Sequence, residues 1–106
     1  MDIICINSKF EPEKLAFYEQ HGIVTPQKDN LYTIRLFSKN SNGEYEILLN
    51  EIINKEIPIK HKILGISHKE PAWKATRFAK LNGDVITKEE IKNLITNWLS
   101  INYENK

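Results

Sequence analysis

The chain has 106 residues, a length that fits one domain, with 41% hydrophobic and 27% charged residues and a net charge of +1. That composition supplies enough Ile, Leu, Val and aromatic side chains to offset chain entropy, so intrinsic disorder is excluded, and the near-neutral balance gives no general argument for nucleic acid. No apolar run approaches a membrane span or a signal peptide, and a lone cysteine, Cys5, cannot form an internal disulfide, so a reducing, cytoplasmic setting and a soluble chain are expected.

Residues Asp2 to Asn7 read as a short buried strand, because Ile3, Ile4, Cys5 and Ile6 are consecutive and mostly β-branched. Glu11-Pro12-Glu13-Lys14 opens a short helix with Pro12 in its first turn; Leu15 and Tyr18 share its inner face and Gly22 ends it. A polar loop from Thr25 to Asn30 follows. Leu31 to Phe37 alternates, with Tyr32, Ile34 and Leu36 on one face and Thr33, Arg35 and Phe37 on the other. An Asn42-Gly43 turn returns the chain through Tyr45, Ile47 and Leu49, the pattern of a β-hairpin.

From Asn54 to Lys69 the chain reads as irregular, punctuated by Pro58 and Gly65. A further strand is expected over Lys74 to Leu81, in which Ala75, Arg77 and Ala79 alternate with Thr76, Phe78 and Lys80. After a turn at Asn82-Gly83-Asp84, Val85 and Ile86 form a short extension or a staple onto a final helix. Thr87 and Glu90 make a capping box, and Ile91, Leu94, Ile95, Trp98 and Leu99 form one apolar stripe over residues 87–100. The stripe is expected to dock on the chain's own sheet, since a small domain needs every apolar face it owns; a monomer is therefore expected over a helix-mediated dimer. The architecture predicted is α+β and mainly β: residues 1–106 form a single domain, with a small antiparallel sheet or partly open barrel over 1–81 and a C-terminal helix packed on it.

Three segments taken in order carry a family resemblance: Ile4-Cys5-Ile6-Asn7, Leu31-Tyr32-Thr33-Ile34 entering the hairpin, and Glu70-Pro71-Ala72-Trp73-Lys74-Ala75-Thr76-Arg77-Phe78-Ala79-Lys80-Leu81. Over residues 1–81 the chain resembles a family of small, uncharacterised phage and prophage-type proteins. The resemblance implies an SH3-like barrel and no enzymatic activity, and it makes the motif residues strand and turn positions.

Candidate chemistry is sparse. His21, His61 and His68 are spaced by 40 and 7 residues, which does not match the paired spacing of zinc ligands, so no metal and no cofactor are expected. Cys5 lies within an apolar strand, where burial suppresses thiolate formation; packing is the ordinary reading over nucleophilic catalysis. Glu89 and Glu90 stand at a helix start, where carboxylates favour the dipole. The four glycines are isolated, so no phosphate-cradling loop occurs and no catalytic constellation is visible.

Charge is less evenly divided. Lys60, Lys62, Lys69, Lys74, Arg77 and Lys80 are opposed within Lys60–Lys80 only by Glu70, a local net of +5. Residues 1–59 hold six basic and nine acidic residues. Trp73 and Phe78 lie in the basic window, so these six cations are the candidate nucleic-acid-binding residues, with phosphate neutralisation and base stacking as the chemistry. Alternation works against one shared face: Lys74 and Lys80 fall with Phe78, and Arg77 falls opposite. A solvated basic face is the ordinary alternative. The sequence therefore points first to a non-enzymatic accessory protein that binds a protein partner, with a small nucleic-acid-binding barrel as the alternative.

Overall fold

Residues 1–40, 42–61 and 65–94 are described by the computed structural model, with Lys60 and His61 described at the backbone only. In chain order the elements are β1 (Asp2–Cys5), α1 (Pro12–Gln20), β2 (Leu31–Lys39), β3 (Tyr45–Leu49), β4 (Ile57–His61), β5 (Gly65–Lys69), β6 (Trp73–Lys74), a 3-10 turn (Ala75–Arg77) and β7 (Phe78–Lys80). A C-terminal helix, α2, is described over residues 88–94. The expected mainly-β α+β class is what the chain adopts, and every strand pairing is antiparallel.

Five strands form one sheet in the order β6-β3-β2-β1-β7. The two outermost strands belong to one chain segment, Trp73 to Lys80, broken by the 3-10 turn. This corrects the single strand expected over Lys74 to Leu81. The physical reason is parity: Trp73 and Phe78 are five residues apart, so an unbroken strand would point them to opposite faces, yet both are only 2% exposed. The turn lets both rings enter one core. It also lets the segment pair with β3 through Trp73 and Lys74 and with β1 through Phe78 to Lys80, without closing the sheet into a barrel.

Residues 54–69, irregular in pattern and open between an ordered loop and an extra strand, contain the two-stranded ribbon β4–β5, paired from Ile57↔Lys69 to His61↔Gly65. Pro58 is tolerated because this ribbon stands outside the main sheet and Pro58 is exposed. Ile57 turns inward and is buried.

In β2 the expected alternation breaks at Arg35, where the register against β3 shifts between Ile34 and Leu36. The bulge inverts the parity beyond it, so Phe37 packs against the core beside Ile34 rather than facing solvent. Arg35 holds the irregularity in place. Its guanidinium makes a bidentate pair with Glu70, Nη1 to Oε1 at 3.1 Å and Nη2 to Oε2 at 2.7 Å, while Nε donates to the Leu49 carbonyl at 3.0 Å. Glu70 Oε2 also accepts the Asn54 backbone N–H at 3.0 Å, so one carboxylate ties β2 to the chain entering and leaving the ribbon.

The core is lined by Ile3, Cys5, Tyr32, Ile47, Leu49, Ile57, Trp73 and Phe78. Ile3 and Cys5 face inward on β1, whereas Ile6, expected in the buried strand, lies beyond its end and is 47% exposed. Three rings meet edge-on at one end of the core: Phe10, Tyr18 and Trp73, with centroids 5.6–5.9 Å apart. The buried Tyr32 hydroxyl accepts the Gln27 N–H at 2.9 Å.

Helix α1 starts on Pro12 and ends as expected at Gly22, whose φ of 68° permits the reversed turn. The Gly22 and Ile23 N–H groups return to the Glu19 and Tyr18 carbonyls, a Schellman-type close. Only Tyr18 of this helix is buried; Leu15, expected on its inner face, is exposed. At the other end of the chain the capping box forms as expected: the Glu90 N–H donates to Thr87 Oγ1 at 3.1 Å and the Thr87 N–H to Glu90 Oε1 at 3.3 Å. Ile86, ahead of the helix, and Ile91 of the expected stripe enter the core cluster and Leu94 is half-buried, so the described part of this helix packs on the chain's own core. Ile95, Trp98 and Leu99 of the expected stripe lie outside the described residues.

The Arg35–Glu70 pair generates a test of stability against pH. Burial opposes ionisation of Glu70, but hydrogen bonds from Arg35 and the Asn54 N–H, with the Arg35 charge, outweigh it and hold the carboxyl below its ordinary value. The stabilisation is therefore present above the unfolded Glu pKa of about 4.3 and is lost as pH falls through the lower folded value. Glu70→Gln is expected to cost on the order of 2–3 kcal/mol at neutral pH, because it leaves a half-buried guanidinium without its charge partner. The cost should shrink at about pH 3, where Glu70 is being protonated in the parent. Urea unfolding at both pH values checks this; parallel loss of stability in parent and variant on acidification would assign the effect to other groups.

Candidate functional site

Helix α1 is anchored by one ring, and a gap opens beside that anchor. A pocket of about 360 Å³ is bounded by Lys14, Phe17 and Tyr18 of α1, Glu46 of β3, Ile57, Pro58 and Ile59 of β4, Lys69 of β5 and the Pro71-Ala72 link. A second pocket of about 250 Å³ shares Lys14, Tyr18, Glu46 and Ala72 with it and continues past Trp73 to Phe10, Lys74 and Arg77. Together they form one two-lobed cleft with aliphatic, proline and aromatic walls and charged groups on its lining. The larger lobe lies at the small end of the range of ligand pockets, about 300–1,000 Å³.

Glu46 is where the lobes meet. Alternation along β3 aims it away from Ile47 and Leu49, and the cleft walls leave it half-buried. Burial, with a smaller contribution from the Glu44 charge, raises its pKa, against the charges of Lys69 and Lys14 and a hydrogen bond with Asn40, which pull the other way. Tyr18 is likewise raised by burial. No local pattern announces Glu46, because its charge partners Lys14 and Lys69 come from α1 and β5, distant in sequence.

Of the six cations of the basic window, the four whose side chains are described divide three to one, with Lys80 apart from the others. Lys62 lies outside the described residues, and the side chain of Lys60 is not described. Lys69, Lys74 and Arg77 line the cleft. Lys74 pairs with Glu44 at 3.4 Å. Arg77 donates from Nη1 to the Asn7 and Lys9 carbonyls at 3.2 and 2.7 Å and stacks on the Phe10 ring at 3.8 Å, while its own carbonyl accepts the Ile6 and Asn7 N–H groups. It therefore ties the segment after β1 to the 3-10 turn. Lys80, on β7, is absent from the cleft lining and pairs with Glu90 at 2.8 Å. Lys14 and Lys69 make no ion pair within 4 Å among the described residues.

The remaining candidates sit apart from the cleft chemistry. Cys5 is fully buried, its thiol donates to the Asn7 carbonyl at 3.6 Å, and burial raises its pKa. His21 packs on the Phe17 ring at 4.5 Å, and His68 is exposed on β5. Among the described residues, no three His, Cys, Asp or Glu side chains are grouped to hold a metal ion, and no helix is long and apolar enough to cross a membrane.

The position of Glu46 has a measurable consequence. A carboxyl whose folded pKa is raised is best accommodated below the unfolded value, and folding loses that advantage as pH rises through the folded value. Glu46→Gln is therefore expected to be at least as stable as the parent at pH 7, with the difference falling towards zero below about pH 4. Thermal unfolding across that range checks it; a variant destabilised at neutral pH would mean that the Lys14 and Lys69 attractions outweigh burial.

Set against known proteins, the chain matches no family model, no curated relative and no solved structure.

Proposed function

We propose that this is a non-catalytic accessory protein that acts by binding a protein partner, and that the two-lobed cleft beside α1 receives a segment of that partner. The single observation that carries this reading is the composition of the cleft: apolar walls from Phe17, Ile57, Ile59 and Pro71 surround two lysines that make no ion pair within the described chain. Interfaces combine a desolvated apolar centre with a few oriented polar groups, and aromatic anchors carry most of their energy. The resemblance of the motif segments to small phage and prophage-type proteins fits an accessory role.

The nucleic-acid reading has one observation in its favour, the local excess of six basic residues over one acidic residue in Lys60–Lys80. Among the described side chains of that window, Lys74 and Lys80 are engaged by carboxylates and Arg77 by backbone carbonyls, which leaves Lys69 without an ion pair there.

Two measurements separate the readings. In capture from a lysate of the source cells, the parent should retain a partner that Phe17→Glu loses and that Lys80→Ala keeps, with both variants matching the parent in thermal midpoint. Equal capture by all three would overturn the cleft as the site. In anisotropy titrations with single-stranded and duplex oligonucleotides, no salt-sensitive binding is expected between about 50 and 200 mM salt. Steeply salt-dependent binding abolished by Lys69→Glu with Lys74→Glu would replace the protein-partner reading with the nucleic-acid one.

A further inference from the structure

The cleft lining selects among partner segments by charge. Four cations and two carboxylates border its two lobes: Lys14, Lys69, Lys74 and Arg77 against Glu46 and Glu11. Two of the cations are already committed. Lys74 faces Glu44 from the neighbouring hairpin, and the Arg77 guanidinium is held by two backbone carbonyls and the Phe10 ring. Lys14 and Lys69 remain, one on α1 and one on β5, and the carboxylate that both sense is Glu46. The Lys14 ammonium also stands over the Tyr18 ring, 5.9 Å from its centroid, beside the cleft wall.

Two ammonium groups sharing one half-buried carboxylate leave an uncompensated positive charge in the larger lobe, against walls of Phe17, Ile57, Pro58, Ile59 and Pro71. Glu46 supplies one carboxylate to the two ammonium groups and lies within 4 Å of neither. An apolar body that carried a carboxylate would satisfy both features at once: its aliphatic part covers the walls, and its charge sits between the lysines at an effective dielectric lower than that of water.

We propose that the segment taken up by the cleft is an acidic, aliphatic peptide, with one of its carboxylates held between Lys14 and Lys69. This rests on the cleft being the binding site and adds the chemical class of what it binds. A basic segment is disfavoured because it would bring like charges together in the larger lobe. A purely apolar segment would leave two ammonium groups partly desolvated with Glu46 as their one shared counterion.

The test uses three labelled, end-capped peptides of equal length in anisotropy titrations with the full chain: alternating leucine and glutamate, leucine and glutamine, and leucine and lysine. The acidic peptide is expected to bind at least about tenfold more tightly than the lysine peptide, with the glutamine peptide between them, and to weaken as salt is raised. In Lys14→Glu with Lys69→Glu the order should reverse, a result that loss of folding could not produce. A preference for the lysine peptide by the parent overturns the proposal in favour of Glu46 as the reading group. Equal binding of the acidic and glutamine peptides, abolished by Phe17→Glu, overturns the acidic class while leaving the cleft as the site. Binding of none of the three overturns the acidic-peptide assignment as well, and the cleft then stands or falls on the Phe17-dependent capture alone.

Discussion

One stretch of eight residues, Trp73 to Lys80, occupies both borders of the main sheet, and most of the architecture follows from that constraint. A sheet whose first and last strands are consecutive in the chain must bend its borders towards each other. The 3-10 turn at Ala75–Arg77 spans the seam where hydrogen bonding between them stops. The inside of the bend is then filled by Trp73 and Phe78 with the inward residues of β1 and β3. Neither border is a long free strand: β6 has two residues and β7 has three, with Val85 bridged to Ala79 outside it. Short borders of this kind give little template for pairing with another chain.

The charges are distributed to serve this arrangement more than to decorate a surface. Each well-connected cation reaches across a discontinuity. Arg35 spans the bulge in β2 and the entrance and exit of the ribbon, and Arg77 spans the seam to the segment that follows β1. Both are arginines at sites that demand several directed donors, which a lysine ammonium could not match in a single plane. The lysines nearest the cleft have no comparable task. The described cations of the 60–80 region thus separate into the structural contacts of Lys74, Arg77 and Lys80 and a remainder, Lys69, on the pocket lining.

The local features were legible where a residue's own neighbours decide the outcome. Asn42-Gly43 marks the hairpin, with Gly43 at a φ of 78°, and Thr87 with Glu90 marks the helix start. What escaped was set by distant partners. The bulge at Arg35 leaves no local sign except an aromatic, Phe37, on the wrong parity, and only Glu70, 35 residues later, explains it. The ribbon was hidden because Pro58 interrupts an otherwise readable alternation of Ile57 and Ile59. The break in the segment after Trp73 did have a signal, the odd spacing of two large aromatics that both belong inside. Of the site, the cationic window was visible but strand alternation divided it wrongly: Lys74 lines the cleft with Arg77, not with Lys80, because the 3-10 turn breaks the strand between them. Glu46 was invisible, since a carboxylate alternating with apolar strand residues ordinarily faces water.

The position of β1 carries a consequence for the order in which the molecule forms. This four-residue strand lies between β2 and β7, so its partners are about thirty and about seventy-five residues away along the chain. None of its ladder is local, and loop closure must precede both pairings. The hairpin of β2 and β3 has no such delay. During synthesis, β1 therefore gains its second neighbour only after residue 80 has emerged, and until then Ile3 and Cys5 lack the ring of Phe78 that finally covers them. A nascent chain stalled before β7 would present a half-paired apolar strand, the species that molecular chaperones recognise.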